Sequence, residues 1–324
     1  MHADVRAFWV TAPGHGEIRA EVLATPAAGD VVVQTLYSGV SRGTEALVFA
    51  GRVPPSEWRR MRAPFQAGEF PAPVKYGYAC VGRVVDGPDG LTGRTVFVLH
   101  PHQTRFVVPA DAVHVLPNAV PPARAVLAAN METALNGVWD GRPHVGDRIS
   151  VVGAGTVGCL TAWLVSRIPG SDVELVDVNA ARAAAAHALG VRFAEPASAA
   201  RDADLVIHAS GSPQGLELAL TLAGDEATIV ELSWYGDQMV PLPLGGAFHA
   251  RRLTIASSQV GRVASSQRSR WDHRRRMQLA LALLADPALD ALITGESEFD
   301  ALPEVMTTLA QAPGNVIFHR IHYA

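Results

Sequence analysis

Residues 148–158 read Arg-Ile-Ser-Val-Val-Gly-Ala-Gly-Thr-Val-Gly, a short β-branched run that leads directly into the pattern G-x-G-x-x-G. Each glycine of this pattern has its own physical role. Gly153 permits a tight turn between a strand and a helix, Gly155 lets the backbone approach a pyrophosphate, and Gly158 lets the helix pack closely on the strand. A second apolar run, Val173 to Val176, follows and ends at Asp177. The stretch therefore predicts a dinucleotide-binding β-α-β unit, with the pyrophosphate at the amino terminus of the helix.

Asp177 indicates which dinucleotide this unit binds. A carboxylate at this position repels the 2′-phosphate of NADP and accepts hydrogen bonds from the free ribose diol of NAD, so the sequence predicts NAD, with NADP the weaker candidate. Later serines and glycines follow further apolar runs, at strand ends where such sheets bind ligands. The predicted cofactor-binding residues are Gly153, Gly155, Thr156, Val157, Gly158, Asp177, Arg182, Ser210, Gly211 and Ser233.

Composition limits the other functions. The 324 residues are enough for about two domains, and a hydrophobic share of 48% with 18% charged residues is typical of a globular protein. A net charge of −4 argues against binding to nucleic acid or to a membrane surface. Two cysteines give no disulfide framework, and the first residues lack a signal-peptide pattern. We therefore expect a cytoplasmic protein with a small-molecule substrate.

The texture of the sequence changes near residue 122. The earlier part contains short β-branched runs separated by turn signals, which predict a mostly β domain that resembles a partly open barrel. From Ala123 onward, helical stretches alternate with apolar runs, which predicts an α/β domain with a doubly wound parallel sheet. The predicted division is a β-rich domain at 1–122 that is completed by 262–324, and a dinucleotide-binding domain at 123–261.

Several segments resemble one enzyme superfamily. Tyr78 to Val85, Arg105 to Asp111 and Asp290 to Phe299 are similar to characteristic segments of the medium-chain dehydrogenase/reductase superfamily, which includes alcohol dehydrogenases. Ser38 to Glu45, S-G-V-S-R-G-T-E, resembles a variant in the branch that includes bacteriochlorophyllide-type dehydrogenases. The resemblance covers essentially the whole chain. It implies a GroES-like catalytic domain, a Rossmann domain and a homodimer.

The resemblance also identifies the positions at which related enzymes bind zinc. Those positions hold Ser41, Tyr78 and either Ala129 or Asn130, and a catalytic zinc needs about three nitrogen, sulfur or oxygen ligands from the protein. We therefore expect no zinc.

Without a metal, a side chain must handle the proton during hydride transfer. Tyr78 is the first candidate because it occupies the position of a ligand histidine, and the Lys75 ammonium could lower the pKa of its phenol. Ser41 could bind substrate through a hydrogen bond, and His100 could relay a proton. Each also has a structural interpretation: a packed tyrosine, a solvated lysine, a turn hydroxyl and a buried histidine.

Two further groups have similar alternatives. Glu132 and Asn136 lie one turn apart on a predicted helix, so they share a face that could line a cleft or simply meet solvent. The arginines of residues 262–276 could bind an anionic substrate. The solvated surface of a loop and helix is the favoured interpretation of that run.

The leading hypothesis is an NAD-dependent oxidoreductase that interconverts a secondary alcohol and a ketone without zinc. Tyr78, Ser41, Lys75 and Glu132 are its predicted catalytic residues. One alternative is a zinc-free enoyl or quinone reductase, and Asp177 counts against it because such relatives usually use NADPH. The other is a protein that binds NAD(H) without catalysis.

Overall fold

The computed structural model describes residues 5–312 and 314–324. Met1 to Asp4, where the sequence predicts no signal peptide, lie outside the described residues. The chain forms two compact units. The first comprises residues up to Ala129, Leu281–Ala285 and Ile293–Ala324, and the second comprises Asn130–Ala280 and Asp286–Leu292.

The strands carry most of the buried apolar side chains. In chain order they are β1 Val5–Ala12, β2 His15–Glu21, β3 Asp30–Val40, β4 Ala67–Gly68, β5 Val74–Lys75, β6 Cys80–Asp86, β7 Thr95–Val98, β8 Arg105–Pro109, β9 His114–Val115, β10 Arg148–Val152, β11 Asp172–Val176, β12 Arg192–Ala194, β13 Ala203–His208, β14 Ala223–Glu231, β15 Thr254–Ser257, β16 Ile293–Glu298 and β17 Phe318–His322.

The α-helices lie between these strands. They are α1 Arg42–Phe49, α2 Pro122–Ala125, α3 Ala128–Gly141, α4 Thr156–Val165, α5 Ala183–Ala188, α6 Pro213–Leu222, α7 Ala247–Ala250, α8 His273–Leu283 and α9 Leu302–Gln311. In the described part of the chain, no helix is both long enough and apolar enough to cross a bilayer.

The second unit is built on a parallel sheet with the strand order β12-β11-β10-β13-β14-β15. This is the doubly wound order of a Rossmann fold, in which ligands bind beyond the carboxyl ends of the strands. The β-branched run Ile149 to Val152 forms the buried centre of the sheet because helices cover both faces of such a sheet. The parallel sheet that the sequence predicts is therefore present.

The first unit contains two sheets. One has the order β2-β1-β5-β4, and the other has the order β16-β17-β3-β6-β7-β9, with β8 also paired to β3. Alternate residues of β3 and its neighbours point into one valine-rich core, which includes Val31, Val33, Val84, Val96 and Phe106. Period-two alternation of this kind builds an antiparallel, mostly β domain, in agreement with the predicted fold class.

The elements differ from the prediction at three places. The first of the helical stretches predicted from Ala123 onward is two helices, α2 and α3. Helix α1, immediately after Ser41, was not predicted. The structure also divides the chain later than the sequence predicts. Residues 262–280 belong to the second unit because Arg276 of α8 is tied to α3 by side-chain hydrogen bonds.

Candidate active site

The glycine-rich turn connects β10 to α4. Gly153 has a φ of +107°, a conformation that L side chains rarely adopt. A Cβ on Gly158 would lie 1.8 Å from the carbonyl oxygen of Gly153, so only glycine allows α4 to pack on this turn. A Cβ on Gly155, in contrast, would meet no atom within 4 Å. The turn is closed on the protein side and open beyond Gly155.

Helix α4 begins directly after Gly155. Gly155 is its amino-terminal cap, and this cap carries no side-chain hydrogen bond. The backbone N–H groups at a helix amino terminus and the helix dipole together favour a negatively charged group. The turn therefore fits a pyrophosphate.

Asp177 lies at the carboxyl end of β11, next to this turn. Its carboxylate accepts backbone N–H groups from Ala154 at 2.6 Å and from Asn179 at 2.8 Å, and the residue is half-buried. These two bonds fix the carboxylate beside the turn that fits the pyrophosphate. Arg182, predicted to contact the ribose or adenine, has a buried side chain, and its charge acts on the thiol of Cys159.

A second polar cluster lies at the ends of β13 and β14, where His208 pairs in register with Glu231. The Glu231 carboxylate accepts from His208 Nδ1 at 2.8 Å and from the Tyr235 hydroxyl at 3.0 Å. His208 Nε2 lies 2.6 Å from the Ser210 Oγ. Gly211 N–H donates to the Ser233 Oγ at 3.0 Å. The structure thus brings together Ser210, Gly211 and Ser233, which the sequence predicted to bind cofactor.

In the first unit, Tyr78 precedes β6 and is half-buried, and its hydroxyl forms hydrogen bonds with the side chains of Ser41 and Thr44. Burial, with a smaller contribution from the negative charge of Glu45, raises the pKa of Tyr78 to about 12. Tyr78 and Ser41 are therefore neighbours, as their predicted roles require. The direction of the pKa shift is opposite to the prediction.

The described partners of the Lys75 ammonium are Glu21, Gln103 and Trp9. Its ammonium donates to Glu21 at 2.7 Å and to Gln103 at 2.8 Å, and it lies over the ring of Trp9. Lys75 is therefore a buried ion-pair partner on β5. The contributions to the pKa of Tyr78 are burial, Glu45, Ser41 and Thr44.

Beneath Ser41 lies a buried chain of hydrogen bonds that the sequence did not predict. Glu45 accepts from Ser41 N–H at 2.8 Å and from His102 Nε2 at 2.9 Å. His102 Nδ1 lies 2.7 Å from the Ser38 Oγ, which lies 2.9 Å from the Tyr323 hydroxyl. Ser38, His102 and Glu45 are 0%, 1% and 3% exposed.

These roles could not be assigned because each contact joins distant parts of the sequence. The partners of His102 lie 57 and 64 positions away, and Tyr323 lies 285 positions from Ser38. The one local signal was that Ser38 and Glu45 belong to the same sequence motif, residues 38–45. The predicted relay residue His100 instead stacks on Phe106, and burial lowers its pKa to about 3.

Glu132 and Asn136 share a face of α3 as predicted, but that face neither lines an open cleft nor meets solvent. Arg276, 1% exposed, donates to Glu132 at 3.0 Å and to Asn136. Burial raises the pKa of Glu132, and Arg276 opposes that shift. The interpretation of residues 262–276 as a solvated surface is therefore wrong for Arg276, and the placement of Glu132 argues against its predicted catalytic role. The remaining arginines of the run are exposed: Arg262, Arg268, Arg270, Arg274 and Arg275.

The positions that correspond to zinc ligands do not suit a zinc ion. Tyr78 and Ser41 hold one another, and Ala129 offers no ligand atom. Within residues 5–312 and 314–324, no group of three or more His, Cys, Asp and Glu side chains could hold a metal ion. This donor set supports no step through a metal.

Comparisons with known proteins find dehydrogenases. No protein-family model matches the chain. It is 29% identical to the 2-desacetyl-2-hydroxyethyl bacteriochlorophyllide A dehydrogenase of Rhodobacter capsulatus over 66% of this chain and 68% of that protein. Among solved structures, a protein described as a zinc-binding dehydrogenase of Sinorhizobium meliloti, bound to NADP, superposes with a TM-score of 0.79 at 17% identity and 99% coverage of both chains. An alcohol dehydrogenase of Escherichia coli CFT073, in complex with NADH, gives 0.77 at 17% identity, covering 99% of this chain and all of that chain.

These likenesses agree with the two units and with the motifs in the sequence. The solved structures establish the fold, and the named relative is a dehydrogenase. Together with the sequence motifs, the named relatives support the medium-chain dehydrogenase/reductase superfamily that the sequence resembles.

Proposed function

We propose that the protein is an NAD(H)-dependent dehydrogenase that interconverts a secondary alcohol and a ketone without a catalytic zinc ion. The observation that carries this proposal is the turn from Gly153 to Gly158, open at Gly155 and flanked by the fixed carboxylate of Asp177. A bound nicotinamide would supply or accept the hydride.

The second unit offers the groups that hold such a cofactor. Backbone N–H groups at the start of α4 would bind the pyrophosphate, and the Asp177 carboxylate would accept from ribose hydroxyls. That carboxylate would also repel a 2′-phosphate, which favours NAD over NADP.

Tyr78 is the proposed proton donor. A phenol whose pKa is raised to about 12 keeps its proton at neutral pH, so it can donate to the oxygen of a ketone as that oxygen gains negative charge. The hydroxyls of Ser41 and Thr44 would orient it.

The substrate class rests on a relative. The name of the Rhodobacter capsulatus dehydrogenase includes a hydroxyethyl group, which supports chemistry at a carbon bearing a hydroxyl. We extend only that class to this chain.

A binding titration followed by turnover assays tests the proposal. We expect NADH to bind more tightly than NADPH, as measured by the quenching of protein fluorescence. We expect Asp177→Ser to reduce that preference for NADH. On a panel of ketones, alcohols and enones, we expect turnover of ketones and alcohols. Tyr78→Phe should lower kcat for ketone reduction about 10²-fold or more with little change in the Kd for NADH.

Tyr37→Phe is the matched control, since Tyr37 is another half-buried tyrosine of the first unit. Unchanged kcat in Tyr78→Phe would remove Tyr78 from its role. Turnover of enones alone with NADPH would indicate the reductase alternative, and NADH binding without any turnover would indicate a non-catalytic protein.

A further inference from the structure

Ser210 lies in a turn that joins a parallel strand directly to a helix. β13 ends at His208, α6 begins at Pro213, and Gly211 in the turn has a φ of +68°. Serine nucleophiles of hydrolases use such strand–turn–helix connections, because the turn presents the hydroxyl above the carboxyl edge of the sheet. Ser210 is exposed at this edge.

The hydrogen bonds of Ser210 form a directed chain. A carboxylate only accepts, so His208 Nδ1–H donates to Glu231, and the neutral imidazole can then accept only at Nε2. The Ser210 O–H lies 2.6 Å from that nitrogen and therefore donates to it. His208 is 0% exposed, so this tautomer is held without competition from water.

The Ser210 oxygen keeps a lone pair for reaction. One lone pair accepts the N–H of Ser212 at 3.1 Å, and the other has no partner in the described part of the chain. The arrangement of acid, imidazole and serine has the roles of a nucleophilic triad, which is recognised by geometry and not by sequence order.

Gly215 leaves the space that this pair needs. A Cβ at position 215 would lie 2.2 Å from the Ser210 Oγ and 2.8 Å from His208 Nε2. Glycine in a helix costs about 1 kcal/mol relative to alanine, and here it lets the serine and the histidine meet.

We propose that Glu231, His208 and Ser210 form a nucleophilic triad, and that Ser210 takes an acyl group from small activated carboxylic esters. The Ser210 Oγ bonds to the carbonyl carbon while its proton passes to His208 Nε2. The bond to the leaving alkoxide then breaks, and the alkoxide takes that proton. A water molecule then bonds to the acyl carbon while its proton passes to His208 Nε2. The bond between that carbon and the Ser210 Oγ breaks, the Oγ takes the proton back from Nε2, and the carboxylic acid leaves. No cofactor takes part, so the activity is separate from the proposed dehydrogenase reaction.

The backbone amide that follows Ser210 limits the expected rate of ester hydrolysis. In such turns, the amide that follows the serine stabilises the oxyanion, but here Gly211 N–H donates to the Ser233 Oγ. Loss of one oxyanion donor costs about 10²–10³ in rate. We therefore expect fast marking of the serine by reactive electrophiles and slow ester turnover.

The test is labelling of the full-length, NAD-free protein with a fluorophosphonate, followed by peptide mass spectrometry. In this reaction the Ser210 Oγ–P bond forms, the P–F bond breaks, and fluoride leaves with the proton. We expect one label per chain at Ser210 and none there in Ser210→Ala. We expect the labelling rate to fall by about 10²-fold or more in His208→Gln and in Glu231→Gln. We also expect the wild type to release p-nitrophenol slowly from p-nitrophenyl acetate, and Ser210→Ala not to release it.

Ser198→Ala is the matched control, because Ser198 is an exposed serine whose hydroxyl bonds only a backbone carbonyl among its described partners. Thermal unfolding of each variant separates loss of fold from loss of reactivity, and Glu231→Gln retains the buried imidazole if His208→Gln unfolds. Absence of label at Ser210, or a rate equal to that of Ser198 and unchanged in Glu231→Gln, would overturn the proposal.

Discussion

His102 and His208 have the same chemistry in different surroundings. Each imidazole, one in each unit, has a glutamate carboxylate on one nitrogen and a serine hydroxyl on the other. The serine that contacts His102, Ser38, is 0% exposed inside the first unit. The chain of His208 ends at an exposed serine. A glutamate–histidine–serine chain can therefore stabilise a fold or present a reactive group, and the exposure of its last hydroxyl determines which.

The electrostatics of the two chains follow the same division. In the first unit the Ser38 hydroxyl forms a hydrogen bond with the hydroxyl of Tyr323, and burial raises the pKa of Tyr323 well above its usual value. Each polar atom of that chain has a protein partner, which is what a buried network requires to be stable. In the second unit the last hydroxyl has a free side toward solvent.

The largest expected effect is the removal of His102. His102→Leu leaves the Glu45 carboxylate buried without its imidazole, and breaking a buried pair in this way costs about 3–5 kcal/mol. Urea unfolding of the variant and the wild type would measure this loss. His15→Leu, at an exposed histidine, is the control and should stay within about 0.5 kcal/mol. A loss below about 1 kcal/mol in His102→Leu would show that the buried chain contributes little to stability.

The second effect comes from the serine of the buried chain. Ser38→Ala removes the partner of both His102 Nδ1 and the Tyr323 hydroxyl, and each unsatisfied buried group costs about 1–3 kcal/mol. The free energy of unfolding should therefore fall by at least that amount. Tyr323→Phe separates the two contacts, since it leaves the bond between Ser38 and His102 in place. Equal stability of Ser38→Ala and the wild type would contradict the assigned network.

Sequence and structure agree where the signal is local. The turn at Gly153 and the acid at Asp177 lie within one β-α-β unit, so their roles can be predicted from glycine sterics and strand periodicity. The neighbours of Lys75 and Glu132 come from other elements, Glu21 and Arg276, and no pattern along the chain indicates them. A buried charge takes its role from its partner, and only the register of the sheets and the packing of the helices determine that partner.

His100 is a third buried histidine, and its effect on the free energy of unfolding depends on pH. Its pKa is about 3 in the folded protein and about 6.5 in the unfolded chain, so the unfolded state binds the proton first as the pH falls. The resulting destabilisation begins below about pH 6.5, reaches about 1 kcal/mol near pH 5.5, and grows until the pH approaches 3. His100→Leu should reduce the loss of stability between pH 7 and pH 5, measured by urea unfolding at each pH. Parallel pH profiles for the variant and the wild type would contradict this assignment.

The smallest expected effect completes the comparison. Ser210→Ala should change the free energy of unfolding by no more than about 0.5 kcal/mol, because the exposed side of the serine lets water replace its hydroxyl beside His208. The same serine-to-alanine change should therefore leave the free energy of unfolding almost unchanged in the second unit and lower it in the first. Urea unfolding of Ser210→Ala and Ser38→Ala, measured side by side, tests this difference. If Ser210→Ala instead costs as much as Ser38→Ala, the Ser210 hydroxyl is part of a closed, stabilising network. A hydroxyl that contributes little to stability but is held at 2.6 Å from a buried imidazole is positioned for chemistry, and the two variants separate these roles with one measurement.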